Sequence, residues 1–342
     1  MALFPLPDEQ RIIRGLLARS DLAILNIYFR AAQATREAIR IDDLAAVLAT
    51  GYVPTLVEIH QLCRIDVLVN RLAADLAPYM ERVIFRAATV GAPIFARAVG
   101  AESGNVAAFR DLASRSANRI VGQLIEGIRD GVLDPLTGRR SIGTLQMVQN
   151  IIREAYAPGT AGLRTPTQTA RFIADVVGLD ARRARYFGRF AEDLRAGGRS
   201  AEHRLLQLLQ RPGANVERLA KDLEIVRGGG ELSASRLAAL NRQENARLLK
   251  SRGEAIRRTE SLRAATEAQH IIWREAVDRG VLDPDKLERE WLPSPNACPV
   301  CEGLRGARAP LVGGSYPEPG GEGPPAPHPN CRCAERVVRR AA

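Results

Sequence analysis

Long apolar runs are missing from this 342-residue sequence. None reaches the ~18 uninterrupted residues that a bilayer span requires, and the longest candidate, residues 87–96, is bracketed by Arg86 and Arg97. No membrane role is expected. The N-terminus, Met1-Ala2-Leu3-Phe4-Pro5-Leu6-Pro7-Asp8, has no basic segment and apolar run of the secretory kind, so paired disulfides are not the favoured use of cysteine. Cysteine itself is sparse, with five residues in all. Strand-like sequence is scarce too, confined to residues 335–339 and 309–312, which are expected to pair as a short hairpin. The run Gly228-Gly229-Gly230 is followed by no Gly-Lys-Ser/Thr and preceded by no buried strand, which excludes a phosphate-binding loop and leaves a flexible hinge. No complementary set of acid, base and nucleophile is visible, so no enzymatic activity and no small-molecule substrate are expected.

What is present is a basic, core-forming composition. Hydrophobic residues make up 46% and charged residues 26%, with a formal net charge of +10 and a pI near 9.9. The charge suits an anionic neighbour such as nucleic acid, and equally a solvated basic surface. The length allows two domains.

Apolar spacing predicts a mainly α fold: a multi-helix N-terminal region, then a helical domain ending in a small zinc-stabilised loop and β-hairpin module. A helix opens at Asp8 with a break expected at Ser20-Asp21, and an apolar segment over 54–98 should be divided or kinked at Pro78 and Pro93. An amphipathic helix over 105–130 stops at Gly131-Val132-Leu133-Asp134-Pro135, and the same five residues recur at 280–284. Glycine in the left-handed conformation followed by proline is shared stop chemistry rather than a duplicated domain. A helix follows over 141–156. Thr165-Pro166-Thr167 starts another, a basic helix carries Arg182, Arg183, Arg185, Arg189 and Arg195, and short helices at 201–211 and 214–226 flank Pro212-Gly213. Residues 232–279 form the longest helix, which Gly253 is expected to split. The Pro158-Gly159 break marks a boundary, giving three segments: 1–158, 159–249 (basic and helical) and 250–342.

Four of the five cysteines fall in the last segment, as Cys298-Pro299-Val300-Cys301 and His328-Pro329-Asn330-Cys331-Arg332-Cys333. Two close pairs of soft ligands joined by a Gly/Pro-rich loop form the pattern of a structural zinc site, in which metal replaces the core that a short segment cannot build. A redox CxxC would start a helix after a strand, whereas this one follows Pro293, Pro295 and Asn296. A catalytic zinc of the PCxxC deaminase type needs a His-x-Glu partner. Here His60 is followed by Gln61 and Leu62, and His270 by Ile271 and Ile272.

Five residues, Cys298, Cys301, His328, Cys331 and Cys333, compete for four tetrahedral positions. A four-thiolate set, its charge offset by Arg305, Arg308, Arg332 and Arg336, is slightly preferred, with His328 as a supporting or alternative ligand. Cys63 reads as a small buried residue.

This C-terminal pattern, with its Leu304-Arg305-Gly306 and Pro-rich loop, resembles the C-terminal domain of phage Mu F-like minor head proteins, also called phage head morphogenesis proteins. Arg257-Arg258-Thr259-Glu260 matches the Arg-Thr-Glu that opens that domain, and Trp291 its aromatic before the first Cys. The resemblance covers residues 250–337, and more loosely from about 165. Arg305 departs from it, standing where the family usually carries an acidic residue.

The resemblance implies a virion protein present in few copies in a tailed-phage head, near the portal or capsid interior and made in the bacterial host cytoplasm. It implies a role in head morphogenesis, with portal protein or major capsid protein and packaged double-stranded DNA as partners. The alternatives are a free-standing zinc-containing DNA-binding protein, disfavoured because the loop 312–327 carries no Lys or Arg, and an enzyme or toxin-related module. Arg257 or Arg258 with Glu260 is expected to tie the long helix to the metal loop, and Trp273 and Trp291 to act as packing residues.

Overall fold

The computed structural model describes residues 7–99, 106–131, 141–157, 165–324, 328 and 331–340. Among these the chain is mainly helical, with twelve helices and one small sheet. It forms two compact units that interleave along the sequence. One comprises residues up to Thr35, Ile65–Ser141 and Gly253–Ala342; the other comprises Arg36–Arg64 and Ile142–Arg252. The division into 1–158, 159–249 and 250–342 follows chain order, whereas these units do not. The break at Pro158-Gly159 lies outside the described residues.

The interleaved unit Arg36–Arg64 and Ile142–Arg252 holds α2 (Ile41–Ala49), α3 (Leu56–Leu62), α6 (Thr144–Ala155), α7 (Pro166–Val176), α8 (Ala181–Ala196), α9 (Gly198–Leu209) and α10 (Val216–Arg227). Local chemistry sets the helix ends. Thr165 and Gln168 close a capping box with Pro166 at the first helical position, and Asp180 caps α8 by accepting from the Arg183 N–H at 2.9 Å. The triple glycine is a bonded helix stop rather than a loose hinge. Gly229 has φ +79, and the Gly230 N–H donates to the Ile225 carbonyl at 2.9 Å across the end of α10. Phe190, Leu194, Leu205, Leu219, Leu223 and Leu240 build a core here. Cys63 is buried and its thiol is pushed up to about 12 by burial, the behaviour of an inert packing residue.

The other unit holds α4 (Ile65–Val99), α5 (Val106–Asp130), most of α1 (Pro7–Ala38), the later part of α11 (Ala234–Asp278), the short α12 (Pro299–Gly303) and the strands β1 (Leu287–Leu292), β2 (Arg308–Pro310) and β3 (Ala334–Arg339). α4 runs unbroken through Pro78 and Pro93, and α1 through Ser20-Asp21. α11 is likewise continuous through Gly253. A Cβ at that position would lie 2.6 Å from Leu25 Cδ1 and 3.2 Å from Tyr28 Cδ1 of α1, so the glycine sets a close helix approach instead of a break. The glycine of each repeated stop signal has a positive φ, Gly131 +87 and Gly280 +70, while residues 132–135 of the first lie outside the described residues.

The expected hairpin between β2 and β3 does not form. Both strands exist, but each pairs antiparallel with β1, in the order β2-β1-β3. β1 escaped the sequence reading because its inward positions are Leu287, Arg289 and Trp291. An arginine at the centre of that triad hides the apolar alternation.

Candidate metal centre and its ionic support

The sheet register brings the two ligand pairs together. Leu292, the last residue of β1, faces Ala334, the first of β3. The CxxC that follows β1 and the CxC that precedes β3 therefore emerge at the same end of the sheet. Cys298 stands at the N-terminal boundary of α12 and Cys301 lies within it.

All five predicted ligands gather here. His328 Nε2 lies 3.1 Å from Cys298 Sγ and 3.0 Å from Cys301 Sγ, and Cys301 Sγ lies 3.7 Å from Cys331 Sγ. The ligand atoms of Cys298, Cys301 and His328 fall within 4.8 Å of one another, as do those of Cys301, Cys331 and Cys333. Cys301 belongs to both triads. None of the four cysteines is in a disulfide. Such clusters of thiol and imidazole could hold a metal ion, since tetrahedral bonds of about 2.3 Å place sulfurs about 3.8 Å apart.

The thiols sit in distinct electrostatic settings. Burial raises Cys301 to about 12. The bond with Cys333, followed by burial, raises Cys331. Cys333 is lowered to about 5, first by its bond with Cys331, against burial, with help from the backbone of Ser294, the Cys301 thiol and the Trp291 side chain. The indole N–H of Trp291 is buried without a hydrogen-bond partner. Trp291 packs edge-on against Tyr316, with ring centroids 5.2 Å apart, and both belong to the apolar cluster around Cys301, Cys331 and Cys333.

Behind Tyr316 stands a buried ionic network absent from the sequence reading. The Arg289 guanidinium lies 5.3 Å from the Tyr316 ring centroid. It also donates to Glu335 Oε1 at 3.1 Å and to the carbonyls of Pro310, Gly313, Gly314 and Glu322 at 2.8 to 3.2 Å. The side chains of Arg289 and Glu335 are 3% and 1% exposed. Glu335 Oε2 lies 2.6 Å from His270 Nε2 of α11. One guanidinium thus organises the loop after β2, and one carboxylate fastens β3 to the long helix. The sequence reading singled out neither Arg289 nor Glu335; the available signal was their place at inward positions of period-2 strands.

Of the Arg257–Glu260 group, Glu260 is buried and accepts from Arg263 Nη1 at 3.1 Å on the same helix. The contact from α11 to the metal end described here runs through His270. Trp273 and Trp291 are both fully buried packing residues, as expected.

Comparisons with protein-family models, with curated proteins and with solved structures found no match. Among the described residues no helix is long and apolar enough to cross a membrane.

Proposed function

We propose that this chain is a minor structural protein of a tailed-phage head whose C-terminal end is a structural zinc module. The carrying observation is that the five residues bearing the resemblance to the Mu F-like domain, Cys298, Cys301, His328, Cys331 and Cys333, are gathered at one point in space. Zinc is favoured over other ions because the donors are thiols and an imidazole in a close, largely buried group with no carboxylate among them. A closed ligand set of this kind contributes folding energy rather than chemistry.

In this reading the helical body docks on portal or capsid protein, and the arginine-rich surface lies near packaged DNA. Contact with phosphates through arginine needs no base readout. The decisive experiment is isolation of intact heads: this chain co-purifies with portal protein, and its absence from purified heads overturns the assignment. The DNA contact is checked separately by titrating duplex DNA over a salt series. Binding that is independent of DNA sequence and falls steeply with salt is expected; no binding even at low salt leaves only the docking role.

A further inference from the structure

Beside the ionic network, α5 and α11 face each other across a cleft of about 360 Å³ closed at one side by the loop after β2. Leu112, Arg115, Ser116 and Arg119 share one face of α5, and Glu267, His270, Ile271 and Arg274 share one face of α11, all of them lining the cleft. The residues come from a single compact unit.

The charges in the cleft are unevenly satisfied. Glu267 and Glu322 are both bonded by Arg119, and Glu267 also accepts from Ser116 Oγ at 2.9 Å. Burial works against the charge on Arg119, but the two carboxylates more than offset it and hold its pKa above the ordinary value. Arg289 is neutralised by Glu335. Arg119 and Arg289 between them engage all three carboxylates, and the other two arginines lining the cleft, Arg115 and Arg274, have no bonded partner among the described residues.

The remaining polar groups fit the same pattern. His270, which also lines the cleft, turns Nε2 to Glu335 and Arg289. Gly313 and Gly314 have φ +69 and +68 and direct both carbonyls to Arg289, so no acceptor from them faces an incoming anion.

The geometry points to a binding site for a phosphoryl group in this cleft, clamped between Arg115 of α5 and Arg274 of α11. A guanidinium offers paired N–H donors that match two phosphate oxygens, and two of them on opposed helices enclose one such group. The volume lies at the small end of ligand sites and admits a phosphate with a mononucleotide-sized body. This assignment does not depend on the phage-head reading.

The test is isothermal titration of the full-length protein with inorganic phosphate, pyrophosphate and a mononucleotide, comparing wild type with the double variant R115A/R274A and with R182A as a distant control. Both cleft arginines are exposed and unbonded, so the double variant keeps its fold, which unchanged melting and metal content verify. The expected result is one saturable site per chain, weakened at least tenfold in the double variant and unchanged in R182A. No binding of any of the three at millimolar concentration overturns the proposal, as does binding that the double variant retains. Competition with a short DNA duplex identifies the source of the phosphate: displacement of bound pyrophosphate assigns it to nucleic acid, and no displacement assigns it to a soluble phosphate ester.

Discussion

At the scale of single residues, the cysteine-rich module depends on a carboxylate that is not one of its candidate metal ligands. Glu335→Ala leaves the Arg289 guanidinium buried without its counter-charge. Removing one partner of a buried pair costs about 3–5 kcal/mol, so urea unfolding of this variant should show a loss of that order, with Glu335→Gln losing less because the amide still occupies the site. Among the cysteines, Cys301→Ser should be the most damaging single change, since Cys301 alone belongs to both triads. Metal content measured across serine variants of the four cysteines and His328→Ala should show four positions that lose the ion and one that keeps it, which identifies the ligand set. The cluster of candidate ligands was legible in sequence because soft donors at close spacing have few other uses. Arg289 and Glu335 were not, because an ion pair buried between two strands looks the same in sequence as two solvated charges.

At the scale of elements, helix chemistry was readable wherever it is local. The cap at Thr165, the stop at Gly280 and the Pro212-Gly213 separation all appear at their expected places. Failures came where tertiary contacts override a local signal. Gly253 resembles a helix breaker, yet it lies inside α11 because a larger residue would crowd Leu25 and Tyr28. Gly253→Ala gains about 1 kcal/mol of helix propensity, but overpacking typically costs about 1–3 kcal/mol. The net expectation is a loss of about 1 kcal/mol, seen as a lower urea midpoint, whereas an increase would show that Leu25 can move aside. The hairpin expectation failed for a similar reason: the partner shared by β2 and β3 is a strand with arginine at its centre, and the register of a three-stranded sheet is not a local property.

At the scale of the whole molecule, the arginine excess seen in composition is partly spent on internal bonds. Burial opposes ionisation of Glu244, but bonds from Arg247 and Arg211 outweigh it and hold its pKa below the ordinary 4.5. Asp180 behaves alike: burial is outweighed by the Arg183 N–H and by Arg252 and Arg183. A depressed folded-state pKa contributes stability above the unfolded value, and this is lost as pH falls through the folded one. The unit Arg36–Arg64 and Ile142–Arg252 should therefore weaken progressively below about pH 4.5. Urea midpoints measured against pH should fall more shallowly in Glu244→Gln than in wild type.

The interleaving of the two units also fixes when each can exist during synthesis. Residues 36–64 and 142–252 have all been made while residues 253–340, which the other unit needs, are still untranslated. At about 5–20 residues per second the remainder takes seconds to emerge, long compared with helix formation and loop closure. The unit finished first can assemble as translation continues. The other must hold α1, α4 and α5 open until α11 and the strands arrive, and its candidate metal ligands are complete only when Cys333 leaves the ribosome. For a nascent chain, the cysteine cluster is a late latch that closes on helices made long before it.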